Sequence, residues 1–219
     1  MRFLIIAGGA PVKAELLRML AESSDRIVCA DSGAEAARRC DIVPHTIIGD
    51  FDSVSEGTLI YFKQNRSLEV VEAYDQNTTD LEKAIIHSLS RGADEITITC
   101  ATGVRSDHLL HIFGLLVKYR ERTGITIVDD EDVIALRTKS FEEKCSPRER
   151  VSLIPWNGSV KGVVSGGLKY PLSGEDLETG GLESVSNETT GGQFSVSFNG
   201  GMLLLIRPSS VQFSANDEG

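Results

Sequence analysis

The chain has 219 residues, with 22 Lys and Arg against 32 Asp and Glu, so its formal net charge is −10. At 41% hydrophobic and 25% charged residues it has an ordinary globular composition. At roughly 150 residues per domain, the length allows one large domain or two small ones. The acid excess argues against nucleic acid or an anionic membrane surface as the main partner, because phosphate backbones demand a basic face. Phosphorylated small molecules stay open, since a metal ion can stand between carboxylates and phosphates.

The first apolar run, Phe3–Ala7, stops at Gly8-Gly9. It is too short for a signal-peptide core and reads as a buried strand. Residues 12–22 carry Val12, Leu16, Leu17 and Leu20 at helical spacing. Ile27–Ala30 is a second strand, followed by Asp31-Ser32-Gly33 and an Ala-rich helix to Cys40. Thr46–Ile48 is a third and ends at Gly49-Asp50-Phe51-Asp52-Ser53. A helix near 55–64 leads to a fourth strand, Leu68–Ala73. Ile96–Cys100 and Ile125–Val128 are the fifth and sixth, with helices near 79–91 and 106–121. Apolar, β-branched strands without polar alternation imply a parallel sheet covered on both faces. Repeated β-α units of this size predict an α/β domain over residues 1–138, with a doubly wound, mostly parallel sheet.

After about residue 138 the pattern changes. Eleven of the 21 glycines fall between Gly158 and Gly201. Short runs appear at Val151–Ile154, Val160–Val164, Phe194–Phe198 and Met202–Ile206. They predict a C-terminal antiparallel β-sandwich domain over residues 146–207. Lys139–Arg150, with seven charged residues and Pro147, reads as the linker. Residues 208–219 read as a flexible polar tail. Trp156 reads as a sandwich core residue. Cys29, Cys40, Cys100 and Cys145 show no CxxC spacing and read as reduced core residues of a cytoplasmic protein. No stretch approaches the roughly 20 apolar residues needed to span a membrane.

In an open parallel sheet, ligands bind beyond the carboxyl ends of the strands. The loops after the predicted strands collect Asp31, Asp50, Asp52, Asp75, Asp80 and Asp107 on one edge. So many carboxylates repel one another unless neutralised, and oxygen-only ligands favour Mg²⁺ over zinc. Gly8-Gly9 reads either as a tight turn or as a close approach to phosphate. Asp50 and Asp52, two apart in an extended loop, point the same way and can reach one metal; the alternative is an acidic turn capping the next helix. Thr79-Asp80-Leu81-Glu82 fits a capping box, with Thr79 as N-cap and Glu82 at N3. Asp80 is then also placed to hold Mg²⁺, and Lys83 to touch a phosphate. Arg105 is a candidate phosphate clamp, with Asp107 orienting it or holding metal; the alternative is an ordinary helix start capped by Ser106. His108 and His111 stand three apart without a third zinc ligand.

Six pieces taken together resemble thiamine pyrophosphokinase. They are Ala30-Asp31-Ser32-Gly33-Ala34, Gly49-Asp50-Phe51-Asp52-Ser53 and the run from Asp75 to Ala84. Ala101-Thr102-Gly103-Val104-Arg105-Ser106-Asp107-His108 follows, then Gly167-Leu168-Lys169-Tyr170-Pro171-Leu172 and Ser184-Val185-Ser186-Asn187-Glu188. They occur in the family's order across residues 1–207, with Ser32 and Val104 standing where the family usually has Gly.

The resemblance implies transfer of the β,γ-diphosphoryl group of ATP to the hydroxyl of thiamine, giving thiamine diphosphate and AMP. It implies Mg²⁺ held by Asp50, Asp52 and Asp80. Gln76, Thr79, Lys83, Arg105 and Asp107 line the ATP and transfer site, with Asp31 in the same cleft. Ser186 and Asn187 help receive thiamine. The first domain is then the ATP- and Mg²⁺-binding catalytic domain, and the second binds thiamine and dimerises. The family forms homodimers whose active sites are shared between subunits. Direct transfer needs positioning and charge neutralisation more than a Cys or His nucleophile. The alternatives are a diphosphokinase for another heteroaromatic alcohol, such as a hydroxymethylpterin, and a non-catalytic nucleotide- or thiamine-binding module.

Overall fold

Consecutive residues of a strand point to opposite faces of a sheet, so a run buried at every position belongs to a sheet covered on both sides. Leu4, Ile5 and Ile6 form such a run. The structure, a computed structural model, describes residues 1–73, 77–103 and 105–210. The chain divides into two units, Met1–Asp130 and Glu131–Gly219.

The first unit holds six strands: β1 (Arg2–Ile6), β2 (Arg26–Ala30), β3 (Thr46–Gly49), β4 (Glu69–Glu72), β5 (Glu95–Thr99) and β6 (Gly124–Val128). They run parallel in the order β6-β5-β1-β2-β3-β4. Five helices connect them or follow them: α1 (Ala14–Glu22), α2 (Gly33–Arg39), α3 (Glu56–Lys63), α4 (Asp80–Ser90) and α5 (Ser106–Tyr119). Each predicted strand and helix of this unit is present, with ends shifted by one or two residues. The chain winds outward from β1 to β4, then returns to lay β5 against the other side of β1. That reversal opens a crevice at the carboxyl ends of β1 and β5. Among the described residues, no helix is long and apolar enough to cross a membrane.

Gly33, the first residue of α2, is required by close packing. A Cβ built there would lie 2.0 Å from the Ile6 carbonyl oxygen and 2.7 Å from its carbon. Those atoms are backbone at the end of the central strand and cannot swing aside.

The second unit contains eight strands: β7 (Asp132–Arg137), β8 (Phe141–Cys145), β9 (Arg150–Pro155), β10 (Val160–Gly166), β11 (Ser173–Leu177), β12 (Ser184–Glu188), β13 (Gly192–Ser197) and β14 (Leu203–Pro208). Their antiparallel pairings give two four-stranded sets, β12-β9-β14-β7 and β11-β10-β13-β8. Val151, Leu153, Leu203 and Leu205 of one set join Val160, Val163, Phe194 and Val196 of the other in one core. Trp156 is half-buried rather than part of that core.

The stretch Lys139–Arg150 is not a linker, because it contains β8, and the second unit already begins at Glu131. Charge concealed the strand. Within Phe141–Cys145 the residues alternate between half-buried and exposed, and the inward-facing position in the middle is Glu143. Its charge is met by Arg137 at 2.5 Å and by Arg207. Arg207 is buried and also pairs with Glu149 at 2.6 Å, donates to the Lys144 carbonyl at 2.9 Å and lies over the Phe194 ring at 5.3 Å. One guanidinium thus ties β14 of one sheet to β8 of the other. Pro208 ends β14, and residues 211–219 of the expected tail lie outside the described residues.

Two stability predictions follow from these contacts. Gly33→Ala should destabilise the protein by about 1–3 kcal/mol or more, read as a lower urea midpoint. Arg207→Met leaves the buried Glu149 without its cationic partner and Glu143 with Arg137 alone, and should cost about 3–5 kcal/mol by the same measurement.

Candidate active site

A cavity of about 380 Å³ opens where the switch in strand order predicts one. Ala7, Gly8 and Gly9 after β1, Asp31 and Ser32 after β2, and Asp50, Asp52 and Ser53 after β3 line it. Thr79 and Asp80 at the start of α4 and Arg105, His108 and His111 at the start of α5 complete the wall.

Asp31, Asp50 and Asp52 each offer a carboxylate oxygen, and the three lie within 4.8 Å of one another. Local backbone geometry brings them together. Asp31 has φ 46 and donates its N–H to the Ile48 carbonyl at 2.8 Å. This turns the residue out of β2 toward the end of β3. Gly49 permits the approach, since a Cβ there would lie 3.1 Å from that of Asp31. Phe51 has φ 64, so the Asp50–Asp52 loop is a tight turn rather than the extended segment expected from the sequence. The two carboxylates converge all the same, and Asp52 N–H donates to Asp50 Oδ1 at 3.2 Å.

Burial raises the Asp31 carboxyl above the usual carboxylate range. The Ser32 N–H opposes this, while the charges of Asp80 and Asp52 add to it. Among the described residues, Asp31 Oδ1 is buried without a hydrogen-bond partner. A buried acceptor with no donor, beside two further carboxylates, is a donor set that fits a hard divalent cation such as Mg²⁺.

Asp80 lines the cavity from the first residue of α4. Lys83, 10% exposed, donates from Nζ to Asp80 Oδ1 at 2.9 Å and to the Ala73 carbonyl at 2.7 Å. It does not line the cavity itself. Thr79 caps α4 by accepting the Glu82 N–H at 3.3 Å. The reciprocal half of the expected capping box is absent, because Glu82 turns into the protein. Burial works to raise that carboxyl, but hydrogen bonds from Lys118 at 2.5 Å and from Tyr119 at 2.7 Å bring it below its ordinary range. Burial, with Glu82 beside it, pushes the Tyr119 phenol up to about 12.

Arg105 grips Asp107 through Nε at 3.1 Å and Nη2 at 2.6 Å. That hydrogen bonding holds the exposed Asp107 carboxyl down to about 2. Arg105 lines the cavity, and Asp107 does not. Gly9 N–H is already given to the Cys100 carbonyl at 2.6 Å, and a Cβ at Gly8 would lie 2.2 Å from Ser32 Oγ. A Cβ at Gly9 would lie 2.6 Å from that same Cys100 carbonyl oxygen, so packing demands Gly9, whereas Ser32 Oγ can rotate away from a side chain at position 8. Asp75, Gln76 and Val104 lie outside the described residues.

Ser186 and Asn187 belong to β12 of the second unit. Ser186 is exposed with φ 55. Asn187 is buried, and its amide is fully engaged. Nδ2 donates to the Tyr170 carbonyl at 2.8 Å and to Ser184 Oγ at 3.1 Å. Oδ1 accepts from the backbone N–H of Tyr170 at 3.1 Å and of Glu188 at 2.9 Å. A primary amide has no further hydrogen bonds to give, so Asn187 shapes the loop around Tyr170 rather than offering a free group.

Residues 17–128 match the family model of the thiamin pyrophosphokinase catalytic domain, and residues 140–203 match that of the thiamin pyrophosphokinase vitamin B1 binding domain. The chain belongs to the thiamin pyrophosphokinase family. The thiamine pyrophosphokinase of Bacillus subtilis is 28% identical over 207 residues, covering 93% of this chain and 96% of the relative. Thiamine pyrophosphokinase 1 of Arabidopsis thaliana is 26% identical and covers 91% and 84%. The crystal structure of thiamin pyrophosphokinase from Geobacillus thermodenitrificans superposes with a TM-score of 0.83 at 29% identity, covering 95% of this chain and 98% of that one.

The family resemblance implied a metal set of Asp50, Asp52 and Asp80, whereas among the described residues the carboxylates that converge are Asp31, Asp50 and Asp52. The position of Asp31 directly after a predicted strand was the available signal, but its left-handed turn was not readable. His111, which the sequence placed beside His108 without a third zinc ligand, contacts Thr79.

The raised Asp31 pKa has a direct consequence in metal-free protein. Its ionised form costs stability above the folded pKa, and that cost vanishes below the unfolded one. In chelator, Asp31→Asn should therefore gain stability over the parent as pH rises from acid toward neutral, measured by thermal melts across that range.

Proposed function

We propose that the cavity of the first unit is the reaction site, with its carboxylates holding Mg²⁺ and Arg105 binding the phosphates. Family membership makes the protein an enzyme that transfers pyrophosphate from ATP to thiamine, with ATP as co-substrate. In that reaction the thiamine hydroxyl forms a bond to the β-phosphorus, and the bond from that phosphorus to the oxygen it shares with the α-phosphorus breaks. AMP departs.

The single observation that carries the site is the convergence of Asp31, Asp50 and Asp52 around a buried, unpartnered oxygen. These three, with Asp80 across the same cavity, would hold Mg²⁺, which supplies charge neutralisation and orientation of the phosphates. The fork of Arg105 matches phosphate oxygens, and Asp107 holds it ready. A carboxylate at about 2 is a weak base, so Asp107 acts by orienting Arg105 and not by taking the alcohol proton. Lys83 acts on Asp80, which it contacts, rather than on the nucleotide. Gln76 and Thr79 belong to the nucleotide side of the same reading.

The second unit supplies thiamine contacts near Ser186. Homodimerisation, from the family resemblance, and a cytoplasmic location, from four cysteines that form no disulfide, complete the proposal.

Incubation with ATP, Mg²⁺ and thiamine should yield AMP and thiamine diphosphate; ADP as the nucleotide product would overturn the reaction. Asp50→Asn should lower turnover by about 100-fold or more while leaving the fold intact by circular dichroism. Mg²⁺ should raise the melting temperature of the parent and leave that of Asp31→Asn unmoved; an equal rise in both would remove Asp31 from the metal set.

A further inference from the structure

The start of α4 is tied to α5 at two points. The deeper one is Glu82, buried and held by Lys118 and Tyr119. The outer one is Thr79, whose Oγ1 lies 3.2 Å from Nε2 of His111. A threonine hydroxyl has one proton to give besides its acceptor lone pairs. Thr79 already accepts the Glu82 N–H, and the ring nitrogen of His111 is within reach of the hydroxyl. Thr79, Asp80 and His111 all line the one cavity.

We propose that His111 is a positioning residue for the diphosphoryl transfer: through Thr79 it fixes the first turn of α4, and with it the direction in which Asp80 faces the cleft. The inference rests on the assignment of that cavity to the reaction. The physical reason lies in the spacing of the two ties. Glu82 ties α4 to α5 three residues inside the N-cap, and Lys83 holds Asp80 from the side of the Ala73 carbonyl, but neither fixes the cap residue itself. The His111 contact adds a tie to α5 at the cap, one residue from Asp80. The bulk of the helix does not depend on His111, since Ala84, Ile85 and Ser88 are buried against the first unit. Loss of the imidazole is therefore felt at Asp80 and not in global stability. Small misplacements of positioned groups are expensive in rate.

Four variants test this: His111→Ala, His111→Gln, Thr79→Val and the double variant His111→Ala with Thr79→Val. Steady-state kinetics are measured for each, together with Mn²⁺ binding followed by paramagnetic resonance without turnover, and thermal melts. His111→Ala should lower kcat by about ten- to a hundredfold. Its KM for thiamine and its melting temperature should stay near those of the parent, and its Mn²⁺ affinity should fall. His111→Gln, whose amide can still meet the Thr79 hydroxyl, should recover most of the rate. In the double variant the histidine change should add nothing to the loss caused by Thr79→Val, because Thr79→Val already removes the one hydrogen bond through which His111 acts.

Normal turnover in His111→Ala would overturn the proposal. So would independent, multiplying losses in the double variant, which would make His111 a group that acts directly on substrate. Normal turnover in Thr79→Val would instead remove this corner from the reaction site, and the role of His111 with it. The two failures are therefore told apart by which single variant is silent.

Discussion

Three aspartate carboxylates share a space less than 5 Å across at the carboxyl edge of the sheet, and the surrounding loops are organised around that repulsion. Like charges so close repel one another, and burial makes the repulsion worse. Asp31 carries both effects, with one oxygen buried and unpartnered. A protein selected for stability alone would not keep such a group. The backbone is bent to keep it, with Asp31 and Phe51 both at positive φ and Gly49 admitting the contact between β2 and β3. Strain and unsatisfied charge concentrated at one place mark a functional corner, and they support the proposal that it receives a cation.

The rest of the cleft is held by contacts one step removed. Lys83 lies against Asp80, Asp107 against Arg105, and Glu82 against Lys118 and Tyr119. Each is a charge-assisted hydrogen bond that orients a group rather than one offered to a ligand. The division explains why a motif such as Asp80-Leu81-Glu82-Lys83 is mixed in role. Asp80 faces the cavity, while Glu82 and Lys83 secure the helix that presents it.

The second unit solves a different problem. Two of its strands are polar: β11 is Ser-Gly-Glu-Asp-Leu and β12 is Ser-Val-Ser-Asn-Glu. Neither carries the apolar alternation that marks a strand, and both escaped detection. They pair because their partners are strong. β9 and β10 present Val151, Leu153, Val160 and Val163 to the core and supply ready edges. Polar groups inside the unit are matched in turn, Glu143 by two arginines and Asn187 by the backbone around Tyr170.

The sequence by itself determined the β-α alternation of the first unit, because uninterrupted apolar strands and amphipathic helices state their period locally. It also determined which loops meet, since parallel strands place all their carboxyl ends on one edge. Tertiary structure alone decided which carboxylates converge. Asp31 joined Asp50 and Asp52 through a left-handed turn that no residue pattern announces. It alone decided that Glu82 would leave its own helix cap for α5, and that His111 would meet Thr79 across 32 positions of chain. Spacing along the chain fixes which side chains share a face, whereas direction and partner depend on atoms far away in sequence.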